Sequence, residues 1–145
     1  AVNLTGMFLM CQEVGKVFLK QKKGVMINIS STYGIVAADQ RIYGNSGQNS
    51  TAYYAATKSA VLNLTRYLAS YWNRTGIRVN TFSPGGVENV KTQGKQFIKN
   101  YSQKTMLGRM AKKDEYVGAI LFLASDASSY MTGSNLVIDG GWTAW

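Results

Sequence analysis

The 145-residue chain carries a net charge of +9, with 46% apolar and 16% charged residues, an ordinary mixture for one domain with a core of its own. It has no histidine and a single cysteine, Cys11, which excludes an internal disulfide, a thiol cluster for zinc and any catalytic arrangement built on Ser-His-Asp or Cys-His. Acid–base chemistry therefore falls to Tyr, Lys, Asp or Glu.

Residues 2–23, VNLTGMFLMCQEVGKVFLKQKK, place apolar side chains three and four apart, which predicts a helix stopped by Gly24. No capping residue precedes this pattern, as expected of a piece of a longer protein that opens inside an element. VMINIS, 25–30, is a short β-branched run and reads as a buried strand. From Ser31 to Ser50 Gly, Asn, Ser, Gln and Tyr follow one another without a period, predicting a loop long enough to suggest a function. Residues 51–74 are helical by the recurrence of Ala52, Ala56, Ala60, Leu64, Leu68 and Tyr71. IRVNTFS, 77–83, is a second strand, closed by Pro84-Gly85-Gly86. The basic stretch 88–112 reads as short helices or a mobile flap. A helix is expected over 114–125, DEYVGAILFLAS, with acidic residues in its first turn as the macrodipole favours. NLVID, 135–139, is the last strand.

Helices alternating with near-continuous apolar strands imply an α/β fold with a parallel sheet. Ligands of such sheets bind beyond the carboxyl ends of the strands, here at Ser30-Ser31 and at Ser83 to Gly86. The positive charge is dispersed: Lys16, Lys20 and Lys23 space as one helix stripe, Lys91, Lys95 and Lys99 as another. With no nucleic-acid-binding motif beside it, a solvated surface is the better reading than a nucleic-acid partner. The longest apolar run, VGAILFLA at 117–124, is far too short for a membrane span, and no leader pattern opens the chain. A cytoplasmic protein is expected, with no metal.

Tyr54 lies four residues before Lys58, so both face the same side of the second helix, with Tyr53 about 100° around it. Ser31 in STYG precedes this pair; RVNTFSPGG and TGSNLVIDGG follow it. In this order the segments resemble the carboxyl-terminal, catalytic half of the short-chain dehydrogenase/reductase family, over essentially the whole chain. The resemblance implies a Rossmann-like doubly wound parallel sheet, of which residues 1–145 supply about three strands of a single NAD(P)-binding domain. It implies hydride transfer between NAD or NADP and a secondary alcohol or carbonyl. Residue by residue, the family's catalytic Ser falls on Ser31, with Ser30 as runner-up, its Tyr on Tyr54 rather than Tyr53, its Lys on Lys58. Its Asn falls on Asn3, 28 positions before Ser31. Tyr54 and Lys58 also touch the cofactor in the family, as do the turn Pro84-Gly85 and the residues beyond it, Val87 and Asn89. At Asn89 many members carry Thr.

The chemistry suits those roles. A phenol with a pKa near about 10 is a poor base at neutral pH, and a lysine cation one turn away favours the phenolate. Ser31 would hold the reacting oxygen in place. Two departures matter. Ser31 and Tyr54 stand 23 positions apart, wider than in many members, and the added AADQRIYGNSGQNS puts polar and aromatic groups near the reaction centre. A polar substrate, sugar-like or phosphorylated, is therefore expected; the alternatives are a 3-oxoacyl-thioester reductase and a non-catalytic scaffold. The family's glycine-rich T-G-x-x-x-G-x-G turn is absent from this chain. These residues alone are then expected to be inactive, with a strand edge left unpaired. Assembly as a homodimer or homotetramer is expected through helices 2–23 and 51–74, with Tyr67, Tyr71 and Trp72 as contact candidates.

Overall fold

Side chains alternating along three parallel strands divide the molecule into layers. The computed structural model describes residues 2–145. Strands β1 (Gly24–Ile29), β2 (Ile77–Pro84) and β3 (Asn135–Ile138) form one sheet in the order β1-β2-β3, both pairings parallel. Ile29 lies opposite Phe82, and Pro84 opposite Ile138, so all three strands run out at one end.

On one face Met26 and Val79 meet Cys11 of α1 (Met7–Gln21) and Leu68 and Trp72 at the end of α2 (Ala52–Tyr71). On the other, Phe82 meets Ala119 and Leu123 of α4 (Val117–Ala124). Sealing a side chain such as Leu123 or Val79 contributes about 1.5–3 kcal/mol, and this double burial is why the strands read as continuous apolar runs. The polar positions inside are paired: Asn28 Nδ2 donates to Thr65 Oγ1 at 3.0 Å, and Thr81 Oγ1 donates to the same oxygen at 2.8 Å. Trp72 belongs to this core at 5% exposure, which removes it from the expected subunit contacts.

Several boundaries differ from the sequence expectation, each for a local reason. The first helix is regular only from Met7, because Val2–Gly6 form a π-helical turn. It is stopped by Lys22 in the left-handed region (φ 54°), a conformation that costs a non-glycine about 1 kcal/mol, while Gly24 already belongs to β1. Asp114 and Glu115 precede α4 instead of opening it: the Glu115 carboxylate accepts from Arg109 at 2.6 and 2.7 Å and from the Lys112 N–H. The far end of α4 is capped by Arg78, whose guanidinium donates to Leu123 O and Ser125 O.

The long loop and the basic stretch, the latter expected to form short helices or a mobile flap, hold each other. The loop after β1 contains 3-10 turns at Thr32–Gly34 and Gln40–Tyr43, and the basic stretch contains α3 (Lys95–Ser102). Ile42, Tyr101, Met110 and Trp142 from four distant places in the sequence form a separate core over the carboxyl end of the sheet. That packing is inconsistent with a mobile flap.

Candidate active site

The strand-end serines have different jobs. Ser30 is 2% exposed and its hydroxyl donates to Lys58 O at 2.7 Å, tying β1 to α2. Ser31 caps the turn Thr32–Gly34, its Oγ accepting from the Tyr33 N–H at 3.2 Å, which leaves the Ser31 proton for a ligand. The glycine of STYG has a packing cause: a Cβ on Gly34 would stand 2.5 Å from Ser30 Oγ and 2.7 Å from Lys58 O. The motif is thus the price of docking this turn directly on the helix that carries Tyr54 and Lys58.

Tyr54 and Lys58 occupy the first two turns of α2. Lys58 Nζ lies 5.9 Å from the Tyr54 ring centroid, within reach of the ring's face, and donates to Ile29 O at 2.9 Å. Burial lowers the Lys58 ammonium from its ordinary range. Tyr53 is 72% exposed and stands at the solvent side of the cavity that Tyr54 lines. Ser31 and Tyr54 line one cavity of about 500 Å³, with Pro84, Gly85 and Gly86 on its far side.

Lys58 also lines a second cavity, of about 560 Å³, together with Asn3, Ile29 and the apolar Met7, Met10 and Ile27. Asn3 belongs to the π-helical turn. The Pro84 turn is held by the chain itself: the Gly85 N–H donates to Ile138 O, and the Gly86 N–H to Tyr101 Oη at 2.6 Å. A Cβ on Gly86 would meet the Tyr101 ring at 2.7 Å, so glycine there is required by packing. Val87 bridges Ala111, and its N–H has no partner among the described residues. Asn89 is exposed, and its Oδ1 accepts from the Lys91 N–H within a local turn. The free Lys58 donors and the Asn3 amide, beside an apolar wall, suit the nicotinamide end of a dinucleotide, whereas Val87 and Asn89 line neither cavity. Nothing comparable among the described residues suits its phosphates.

The cavity beside Tyr54 includes groups that sequence reasoning did not single out. Tyr101 comes from the basic stretch, where the charge pattern conceals it. Tyr33 sits inside the STYG motif, with its ring edge-on to Trp142 at 6.1 Å. Burial pushes its phenol above the ordinary range, and its hydroxyl has no hydrogen-bond partner among the described residues. Tyr43 and Ser50 are supplied by the lengthened loop, whose polar aromatic composition was the available signal.

A family model described as Enoyl-(Acyl carrier protein) reductase matches residues 1–143. The chain is 38% identical over 146 residues to D-threitol dehydrogenase of Mycolicibacterium smegmatis, covering 99% of this chain and 52% of that protein. It is 39% identical over 142 residues to the 3-oxoacyl-[acyl-carrier-protein] reductase FabG of Thermotoga maritima, covering 97% and 54%. A short chain dehydrogenase from Leptospira borgpetersenii, crystallised with bound NAD+, superposes with a TM-score of 0.90 at 45% identity, covering 98% of this chain and 54% of that one. The chain spans about half the length of the curated relatives it matches.

Proposed function

The chain belongs to the short-chain dehydrogenase/reductase family, and from that premise we propose that it is the catalytic half of an NAD- or NADP-dependent oxidoreductase interconverting a secondary alcohol and a carbonyl. Tyr54 moves the proton: it takes one from the alcohol oxygen in oxidation and returns it to the carbonyl oxygen in reduction. Ser31 donates a hydrogen bond to that same oxygen, so the developing charge meets a group already oriented. Lys58, held by Ile29 O, keeps its cation beside the Tyr54 ring and turns its remaining N–H groups toward the cofactor. Asn3, the Pro84-Gly85 turn, Val87 and Asn89 would be the other residues that hold the cofactor. The bound nicotinamide supplies or accepts the hydride. The glycine-rich half that binds its phosphates lies outside these residues.

One observation carries this reading: Ser31 and Tyr54 open on one cavity while Lys58 Nζ stands 5.9 Å from the Tyr54 ring. Tyr54→Phe removes one oxygen and should lower turnover by about 10³-fold or more with the thermal midpoint unchanged. A variant that keeps its rate ends the proposal.

The substrate is a polar, sugar-like alcohol or ketone, a reading supported by Asn49, Ser50 and Thr51 in the cavity wall and by the name of the threitol relative. A 3-oxoacyl thioester is the second reading, favoured by the FabG relative and the family model's description. Homodimers or homotetramers in the cytoplasm complete the proposal. Its support is the exposed stack of Tyr67 on Tyr71, rings 5.9 Å apart, beside a groove between α1 and α2. No helix among the described residues is long and apolar enough to cross a membrane.

A further inference from the structure

The loop that lengthens the Ser31–Tyr54 interval is braced at four points. Gln40 closes it by donating to Ser50 O at 2.9 Å and accepting from the Ser50 N–H at 3.0 Å. Asp39 caps the turn Gln40–Tyr43 and pairs with Arg41 and with Lys104, just past α3. Asn100 donates to Ile42 O, and Ile42 itself is 1% exposed. The Tyr43 ring packs against Phe97 of α3 at 5.4 Å. So much bracing leaves few conformations for the side chains the loop presents to the cavity, Tyr43, Asn49 and Ser50. Tyr43 lines the same cavity as Tyr54, the proposed proton-transfer group, and burial raises its phenol above the ordinary range. No charged side chain lines this cavity, although the chain carries a net charge of +9.

Resting on the function proposed above, we infer that Tyr43 is a substrate-recognition residue whose hydroxyl binds a substrate hydroxyl next to the reacting carbon, and that the site takes a neutral polyol or its ketose. A phosphorylated sugar or a sugar acid would bring its charge into a cavity without a cation to pair it, which is costly. An acyl thioester brings no hydroxyl beside the reacting carbon for Tyr43 to bind. Sites built to bind a substrate hydroxyl reject analogues that lack it far more strongly than apolar pockets reject an added group.

The test uses the natural protein that contains this chain together with its cofactor-binding half. Wild type and Tyr43→Phe are assayed with D-threitol, 2-butanol, D-gluconate and an acetoacetyl thioester. Tyr43→Phe keeps the ring on Phe97, and a thermal scan checks the fold. The expected result is a loss of about 10-fold in kcat/KM for D-threitol, mostly in KM, with 2-butanol unchanged. Ser50→Ala, which leaves both backbone bonds to Gln40 in place, should lose about 3-fold on D-threitol alone. Equal loss on D-threitol and 2-butanol, or no loss on either, overturns the role of Tyr43. A wild-type protein that prefers gluconate or the thioester to D-threitol, or is inert on all four, overturns the substrate class. Failure of the enzymatic reading itself is read separately, as retained turnover in Tyr54→Phe.

Discussion

The cavity on the Lys58 side, about 560 Å³, is walled by α1 and β1 with Met7, Met10, Val14, Met26 and Ile27, and it lies along a strand paired on one side only. The cavity on the Tyr54 side, about 500 Å³, is walled by hydroxyls, an amide and aromatic rings from four separate stretches of chain. The first is made of neighbours in sequence and is open along the sheet edge. The walls of the second are brought together by long-range packing around Ile42, Tyr101 and Trp142, and it opens to solvent beside Tyr53. On the function proposed above, the apolar face would take the nicotinamide and the polar cavity the substrate. Tyr54 and Lys58, one helical turn apart, are the partition between them.

Lys58→Met strikes that partition, and its effect should be the largest: turnover about 10²–10⁴-fold lower in the full protein, with weaker cofactor binding. Undiminished turnover would mean the two cavities do not cooperate. Next in size is a paired test of what covers each side. Met10 is 64% exposed and Tyr53 72% exposed in this chain. With the cofactor-binding half present, Met10→Glu should lower the melting temperature by roughly 5 °C or more, since a charge would then be buried without a partner. Tyr53→Glu should leave it within about 1 °C. Equal shifts would mean that the cofactor-binding half covers the Met10 face no more than it covers Tyr53.

The smallest effect is confined to acid. Arg109 and the Lys112 N–H hold Glu115 down to about 2 from an ordinary 4.5. A carboxylate with a depressed folded pKa stabilises above its unfolded value, so this contribution is complete above pH 4.5 and disappears as pH falls toward 2. No carboxylate lines either the apolar or the polar cavity, so this acid effect is one on stability. The melting temperatures of wild type and Glu115→Gln should differ slightly above pH 5 and converge in acid. A difference that persists unchanged to pH 2 would show that the charge is not what matters.

The parallel α/β order and the alignment of Ser31, Tyr54 and Lys58 were legible in the chain because each depends on short-range rules. Period-two and period-3.6 patterns follow from backbone geometry, and a Tyr four residues before a Lys must share a helix face. Ser31 could not be separated from Ser30 by those rules; only the hydrogen bond from Ser30 to Lys58 O separates them. Tyr101 and Trp142 were invisible as parts of one cavity wall because their partners lie tens of residues away, and for the same reason residues 88–112 left short helices and a mobile flap as alternatives. Local chemistry along the chain determined the elements and the candidate groups Ser31, Tyr54 and Lys58. Tertiary packing alone decided which face is walled by apolar side chains and which neutral hydroxyls stand around Tyr54, since burial and pairing are properties of residues brought together by the fold.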